Sequence, residues 1–267
     1  MTVMITDDRA NHPPLSVLGR AMSILHCFDA TARQELSLGE VTAISGLPKA
    51  TVHRLLGTLS EWQMIERTST GFRLGIQLFE LGMRVPRQFS LRDAALPYLL
   101  DLHQATKETV QLAVLDGTDM IFLAKIVRRC SPRSLSRVGG RVPAHCTGVG
   151  KAFLAFADPA VVQAVFARPL RRCTPYTLTA PGLFVRQLEA VRDTGLAQTC
   201  DESVIGTACV ASPVFAAYGK VVAAISVTGS TGNFDPSKMG PAVRTAALAI
   251  SRDLSKADNV LAQRQVS

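Results

Sequence analysis

Two short amphipathic segments joined by the tight turn Gly46-Leu47-Pro48 constrain this chain more than any other feature of its sequence. Ser37 is a good N-cap for the first segment. Pro48 suits the start of the second, since the N–H that proline lacks has no helical partner there. The second segment, Lys49 to about Glu61, has an apolar face at helical spacing. Two helices joined in this way are typical of a helix-turn-helix. The apolar face comprises Val52, Leu55, Leu56 and Leu59.

The flanking residues complete a winged domain. A first helix is predicted to begin near Ser16, and residues 64–67 and 72–74 have the pattern of two short strands around a turn at 69–71. Arg73 lies between two apolar residues at strand spacing, so its side chain is expected to point away from the core. A broadly apolar helix from Ile76 to about Gln88 follows, and we interpret it as a linker that contacts a second copy of the chain.

A winged helix-turn-helix commonly reads DNA by placing its second helix in the major groove. Arg54 is the main candidate for a base contact, because a guanidinium can bond two acceptors of guanine at once. Arg67 and Arg73 on the wing suit phosphates or a minor groove. A protein-contact role, with these charges solvated, is the alternative. The candidate DNA-binding residues are Lys49, Thr51, His53, Arg54, Thr58, Arg67 and Arg73.

The net charge of +8 and the pI of about 9.5 permit nucleic-acid binding. Residues 1–90, however, contain nine Lys or Arg against eight Asp or Glu, so the case for DNA rests on local arrangement. An acid-free basic run from Lys125 to Arg141 is either a solvated face or a feature that attracts an anionic ligand or DNA. The sequence has neither a signal peptide nor an apolar run of the roughly 18 residues that a membrane span needs, which predicts a cytoplasmic protein without a membrane partner.

From Leu91 the pattern changes to a second unit, in which helices mix with strands. The turn at 116–119 separates two apolar strands and is a strong hairpin signal. A short strand is predicted at 134–138, a helix from Thr147 and a last helix from 236 to about 256. This mixture predicts a two-domain α+β protein whose second domain is built on an antiparallel sheet. The predicted divisions are a disordered tail at 1–14, a winged helix-turn-helix domain at 15–75, a linker helix at 76–90, a sensor domain at 91–257 and a tail at 258–267.

Four motifs in order resemble the IclR-type bacterial transcription regulators, and the resemblance spans about residues 15–254. The resemblance implies a GAF-like effector-binding domain, a homodimer or homotetramer, a double-stranded DNA operator, and control by a small organic acid or aromatic metabolite. The chain departs from the family pattern at Ala144 and within 198–202, where only two residues are acidic, so no specific ligand is implied. The motifs are Gly46-Leu-Pro-Lys-Ala-Thr-Val-His-Arg-Leu-Leu56, Phe72-Arg-Leu-Gly75 with Leu81-Gly82, Ser136-Arg-Val-Gly-Gly-Arg-Val-Pro-Ala-His-Cys-Thr-Gly-Val-Gly-Lys-Ala152 and Gly206-Thr-Ala-Cys-Val-Ala-Ser-Pro-Val-Phe215.

The start of the helix at Thr147 is the predicted effector site. Thr147 is a plausible N-cap, Gly148 and Gly150 leave the backbone bare, and the free N–H groups of a helix start suit a ligand carboxylate. An effector with an acidic group is therefore predicted, although a cap and close-packing glycines explain the same residues equally well. The candidate effector-binding residues are Arg141, Cys146, Thr147, Gly148, Gly150, Asp201, Glu202, Cys209, Ala211 and Ser226.

Signatures of enzymes are weak, and no catalytic residue, metal ligand or cofactor is predicted. The six cysteines include no C-x-x-C pair and are expected to be small apolar residues in a reducing compartment. His145-Cys146 with Cys209 could hold zinc or form a redox pair, but adjacent His and Cys are poorly spaced for a metal. Two alternatives stay open: a GAF-like cysteine-dependent reductase, which has no need of a winged helix, and an architectural DNA-binding protein with a degenerate sensor domain.

Overall fold

The computed structural model describes residues 16–31, 33–85, 88–127 and 136–264, with the side chains of 88–90 and 257–264 left out of the description. The chain divides into two compact units, Met1–Pro86 and Arg87–Ser267. The predicted N-terminal tail at 1–14 lies outside the described residues, as do Arg128, Arg129 and Arg133 of the basic run.

The described residues of unit 1 form three helices, a two-stranded wing and a short fourth helix. The predicted helices and wing are confirmed. Ser16 caps the first helix by accepting from the Gly19 N–H, and Ser37 forms a capping box with Glu40 at the second. Pro48 is the N-cap of the third helix rather than its first residue. The elements are α1 (Val17–Cys27), α2 (Leu38–Ser45), α3 (Lys49–Glu61), β1 (Ile65–Arg67), β2 (Phe72–Leu74) and α4 (Ile76–Gly82).

The wing is fixed to the helices by backbone pairing. Leu36, just before α2, exchanges two hydrogen bonds with Phe72 of β2 at 2.9 and 2.8 Å, which adds a bridge beside the β1–β2 pair. Gly75 ends the wing where only a glycine fits, because a Cβ there would lie 1.9 Å from the carbonyl oxygen of Gln63. The apolar core beneath consists of Ile24, Cys27, Phe28, Leu36, Val41, Val52, Leu55, Leu56, Leu59, Ile65 and Phe72.

The predicted linker helix at 76–90 is wrong as one continuous element. Helix α4 ends at Gly82, Met83 and Arg84 form a turn, and the next helix starts at Gln88. Two sequence features explain the break: glycine weakens a helix, and Pro86 disfavours helical backbone in the residue before it. The apolar surface predicted for this segment is nevertheless exposed, with Phe79 at 61% of its full accessibility.

In unit 2 the described residues form a six-stranded antiparallel sheet in the order β5-β4-β3-β8-β7-β6, which confirms the predicted sheet type. Two long helices, α5 and α9, pack on one face, and α6 to α8 cover the other. The elements are α5 (Gln88–Thr106), β3 (Thr109–Asp116), β4 (Asp119–Ile126), β5 (Arg141–Pro143), α6 (Gly148–Leu154), α7 (Pro159–Phe166), α8 (Pro181–Thr194), β6 (Ala197–Cys200), β7 (Thr207–Phe215), β8 (Val221–Ser230) and α9 (Pro236–Arg264).

Three local expectations in unit 2 need correction. The strand predicted at 134–138 is absent over its described part, 136–138, and the strand β5 instead follows the Gly139-Gly140 turn. The edge strand β6 was not predicted, because four residues give too short an alternation to stand out. Helix α9 runs to Arg264, so the predicted tail at 258–267 is helical over most of its length.

Candidate functional site

The exposed face of α3 presents the predicted DNA-reading side chains. Lys49, His53, Arg54 and Thr58 are exposed and Thr51 is half-buried, while the opposite face is buried in the core. Within the described residues the Arg54 guanidinium has no hydrogen bond or ion pair, so both its donor edges remain available to a base. The Thr58 hydroxyl is instead used locally, donating to the Arg54 carbonyl oxygen at 3.3 Å.

The start of α3 also suits an anion. Unlike α1 and α2, this helix has no side-chain cap, so its first amide N–H groups keep no side-chain acceptor in the described structure. Such groups and the positive end of the helix dipole are a favourable seat for a DNA phosphate.

The two wing arginines are held by neighbours. Arg73 contacts the Glu66 carboxylate through Nε at 2.8 Å and through a terminal nitrogen at 2.7 Å. The Arg67 guanidinium carbon lies 5.8 Å from the centre of the Phe72 ring, in cation–π range. The wing therefore presents less free positive charge than the sequence suggests.

In unit 2 a cavity lies between the sheet and the start of α6. The empty space among its lining atoms is about 480 Å³, a figure that includes open solvent at its mouth. Its lining residues are Gln111, Phe122, Ser136, Val142, Thr147, Gly148, Val149, Thr199, Ser203, Val204, Thr207, Cys209, Ser226 and Thr228.

The strand register explains the polar wall of the cavity. Thr228 of β8 pairs with Cys209 of β7, and Cys209 pairs with Thr199 of β6, so three small polar side chains stand in one row. The next row joins Gln111 of β3 to Ser226 of β8. Because side chains alternate along a strand, both rows face the same side of the sheet.

Gln111 is the centre of this wall. Its side-chain oxygen accepts from the hydroxyls of Ser226 at 3.2 Å and Thr228 at 3.4 Å, and its Nε2 donates to Ser136 Oγ. Its cross-strand neighbour Lys125 donates from Nζ to the Ser136 carbonyl oxygen at 2.5 Å. Burial lowers the pKa of Lys125 from its usual value, and a nearby anion would favour its charged form.

Gly148 lets α6 approach this wall. A Cβ at Gly148 would lie 2.8 Å from the Cys209 sulfur and 3.4 Å from the Ala211 Cβ. The cavity therefore brings together four of the predicted effector-binding residues, which are Thr147, Gly148, Cys209 and Ser226.

Six predicted effector-binding residues do not line this cavity. Arg141 pairs with Asp116, and Cys146 is buried against Cys173. A Cβ at Gly150 would lie 2.0 Å from the Ala144 carbonyl oxygen, so this glycine serves close backbone packing. The others are Ala211, which packs beneath α6 in the core, and the neighbours Asp201 and Glu202 in the β6–β7 loop.

Both acidic residues of that loop have structural partners. Asp201, in the left-handed region at φ 58°, accepts from the Gly206 N–H at 2.6 Å and from the Thr231 hydroxyl at 2.9 Å, which lowers the pKa of its carboxyl. Glu202 forms a buried ion pair with Lys151 of α6 at 2.5 Å. Burial lowers the pKa of Lys151, and the Glu202 carboxylate opposes that shift.

Several lining residues were missed, chiefly Gln111, Thr199, Thr207 and Thr228. Gln111 and Thr228 gave a signal, because each is a polar residue inside a mainly apolar strand, where a buried polar side chain needs a reason. Thr199 and Thr207 gave none, because Thr199 lies in the unpredicted strand β6 and Thr207 is the first residue of β7. Among the described residues no group of three metal-ligating side chains is found, and none of the helices searched is long and apolar enough to cross a membrane.

A winged helix-turn-helix with exposed basic side chains, joined to an α+β unit with a polar-walled cavity, defines the class of two-domain DNA-binding transcription regulators. Two family profiles match the chain: "IclR helix-turn-helix domain" over residues 17–69 and "Bacterial transcriptional regulator IclR C-terminal" over residues 83–252. The chain belongs to the IclR family of bacterial transcription regulators.

Two named regulators are similar in sequence to this chain over most of both proteins' lengths. The transcriptional regulator XynR of Escherichia coli is 31% identical, with 91% of this chain and 98% of that protein covered. KdgR of Escherichia coli is also 31% identical, covering 84% of this chain and 88% of that protein.

Solved structures share the fold. An IclR homologue from Microbacterium hydrocarbonoxydans, in complex with 4-hydroxybenzoate, has a TM-score of 0.80 at 30% identity, covering 90% of this chain and 99% of that one. The Thermotoga maritima IclR has a TM-score of 0.74 at 29% identity, covering 89% and 98%.

Proposed function

We propose that this regulator binds a DNA operator through α3 and the wing, and that a small organic acid in the cavity of unit 2 changes its affinity for that operator. The cavity is the observation that carries the proposal. Hydroxyl and amide groups from several strands converge on a space that Phe122 and three valines also line, and such convergent polar groups beside apolar ones are a feature of small-molecule sites.

The proposed effector is a small, ring-sized carboxylic acid. Phe122, Val142 and Val149 offer apolar contact to a ring, while the polar wall around Gln111 offers donors and acceptors. Lys125, beside that wall, supplies the positive charge that the sequence had suggested for Arg141. The 4-hydroxybenzoate bound by the Microbacterium homologue belongs to the same chemical class.

We further propose that the regulator works as a homodimer or homotetramer. Helix α4 leaves Ile76, Phe79 and Leu81 more than half exposed, and several exposed apolar side chains on one short helix suit contact with a partner. A two-fold dimer would present two copies of α3 to a pseudo-palindromic operator. No reaction is proposed for the chain: the relatives compared above are named as regulators, and the cavity's polar groups are explained by binding alone.

Replacement of Arg54 tests the DNA side of the proposal. Fluorescence anisotropy with the gene's own upstream DNA should show tight, saturable binding by the wild type. Arg54→Ala should lose about 1–3 kcal/mol of that affinity, because a bidentate base contact disappears. Binding to an unrelated duplex of equal length is the matched control and should change little. Equal loss on both duplexes would contradict a base-reading role for Arg54.

Matched ligand pairs test the effector side. Calorimetry should detect binding of aromatic carboxylic acids, and much weaker binding of the corresponding neutral amides. Lys125→Met should lower the affinity for the acids to near that for the amides, because only the acids interact with the ammonium charge of Lys125. If this variant still preferred acids to amides as the wild type does, the carboxylate of the ligand would not be bound by Lys125.

A further inference from the structure

Two cysteine side chains of unit 2 meet in a place that the proposed function does not use. Cys146 ends the 3₁₀ turn Ala144–Cys146 before α6 and is fully buried, whereas Cys173 is half-buried in the loop between α7 and α8. Their sulfur atoms are 3.5 Å apart. Since a disulfide is about 2.05 Å long, a relative shift of about 1.5 Å is enough to join them.

Hydrogen bonds fix the two segments that carry these thiols. His145, next to Cys146, places Nε2 2.8 Å from the carbonyl oxygen of Arg171, two residues before Cys173. Burial lowers the pKa of His145, so the ring is neutral and its Nε2–H donates to that carbonyl. The Thr177 hydroxyl accepts from the Cys173 N–H at 3.0 Å and fixes the other side of the loop.

The two thiols differ in reactivity. Contact with Cys146 lowers the pKa of Cys173 to about 7 against the opposing effect of burial, and the charge of Arg171 lowers it further. The same contact, together with burial, raises the pKa of Cys146. Cys173 is thus the more acidic of the two thiols and the one partly exposed to solvent, and a lowered thiol pKa with solvent access is typical of oxidant-sensitive cysteines. Burial raises the pKa of Cys27 to about 11 and also raises that of Cys209, which makes both inert by comparison.

We propose that Cys146 and Cys173 are a redox-active pair that closes into a disulfide when the regulator meets hydrogen peroxide. The Cys173 thiolate attacks one peroxide oxygen, the O–O bond breaks, and the released hydroxide takes a proton to become water. The Cys146 sulfur then attacks the resulting sulfenic acid; its S–H proton leaves with the departing hydroxyl as a second water. Overall the two thiols lose two electrons and two protons, and the peroxide is reduced to two waters.

Both cysteines of the pair lie in segments that are connected to residues lining the cavity. Cys146 directly precedes Thr147, which lines the cavity. On the other side, hydroxyls of Thr174 and Thr177 donate to the carbonyl oxygens of Asp201 at 2.6 Å and Glu202 at 2.7 Å, next to the lining residue Ser203. A disulfide would fix the turn that leads into Thr147 to a loop that is hydrogen-bonded to the segment just before Ser203. Any consequence for ligand binding rests on the proposed function; formation of the disulfide does not.

Peptide mapping tests the pair directly. The full-length, reduced protein is treated with hydrogen peroxide, its remaining thiols are alkylated, and it is digested with trypsin without reduction. Trypsin places Cys146 in the peptide 142–151 and Cys173 in 173–186, apart from every other cysteine. The expected product is these two peptides linked, two hydrogens lighter than their sum, and separated again by dithiothreitol.

Variants make the outcome decisive. Cys173→Ser should abolish the cross-link, and because the site is half-buried the fold should persist; Cys146→Ala should abolish it too. Cys200→Ser, at an exposed cysteine outside the pair, is the matched control and should keep it. The proposal is overturned if Cys173 remains a free thiol under peroxide that oxidises Cys200, ends as sulfinic acid, or joins a different cysteine. None of those outcomes would touch operator or organic-acid binding, so the proposed function stands or fails separately.

Discussion

Arg73 and Glu66 occupy opposite strands of the wing, and their ion pair sets how much charge the wing offers to DNA. Both side chains are partly exposed, at 55% and 38%, so the pair itself contributes little to stability. Its effect on DNA is larger, since a carboxylate beside an arginine repels phosphates and competes for the same donors.

Release of Arg73 is therefore predicted to strengthen DNA binding. Glu66→Gln should raise the affinity for operator and for unrelated DNA by similar factors. It should also make the slope of log affinity against log salt steeper, by about the amount that one phosphate contact contributes. Arg73→Ala should flatten that slope by a similar amount. Anisotropy titrations over a range of salt concentrations measure both slopes. If the Glu66→Gln variant bound DNA with the affinity and salt dependence of the wild type, the wing would not contact the DNA phosphate backbone.

At the scale of elements, α6 shows two glycines with different tasks. Gly148→Ala places a methyl 2.8 Å from the Cys209 sulfur, a side-chain atom in the cavity wall, while Gly150→Ala places one 2.0 Å from a backbone carbonyl oxygen. A side chain can give way more readily than a backbone.

We predict opposite phenotypes from these two glycines. Gly148→Ala should keep most of the thermal stability and weaken organic-acid binding, and adding Cys209→Ala should restore binding by making room. Gly150→Ala should lower the Tm markedly, because the 3₁₀ turn and α6 must separate. Thermal denaturation and calorimetry on the three variants check this. Equal losses of stability at both positions would contradict the assigned packing.

The buried ion pair between Lys151 and Glu202 ties α6 to the β6–β7 loop. The two side chains are only 1% and 8% exposed, so removal of one partner leaves the other charge buried without its ion pair. Lys151→Met should cost about 3–5 kcal/mol in urea unfolding, and Lys151→Met with Glu202→Gln should recover much of that loss. A double variant as unstable as the single one would show that the pair contributes through packing rather than charge.

At the scale of the whole molecule, local signals account for most of the predicted fold. The caps Ser16, Ser37 and Thr147 and the turn at Gly46 are encoded within a few residues, so the elements they start or end were predicted correctly. The break after Gly82 was missed because the apolar pattern continued past it.

The cavity could be predicted only in part, for a physical reason. Thr147 and Gly148 belong to one motif, but the polar wall joins β3 to β6, β7 and β8 much later in the chain, and its residues meet only through strand register. Gly150 and Cys146 look like site residues in the motif, yet packing turns both away from the cavity. The thiol pair was missed likewise, because two helices, α6 and α7, separate Cys146 from Cys173 in the sequence.

Reciprocal coupling tests the central claim most directly. If an organic acid in the cavity changes operator affinity by some factor, operator must change the acid's affinity by the same factor, and such factors are commonly about 5–150-fold. Calorimetric titration of the acid into free regulator and into operator-saturated regulator measures this. We predict two dissociation constants whose ratio equals the shift in operator affinity. An acid that binds the cavity with the same affinity in both states would contradict the account.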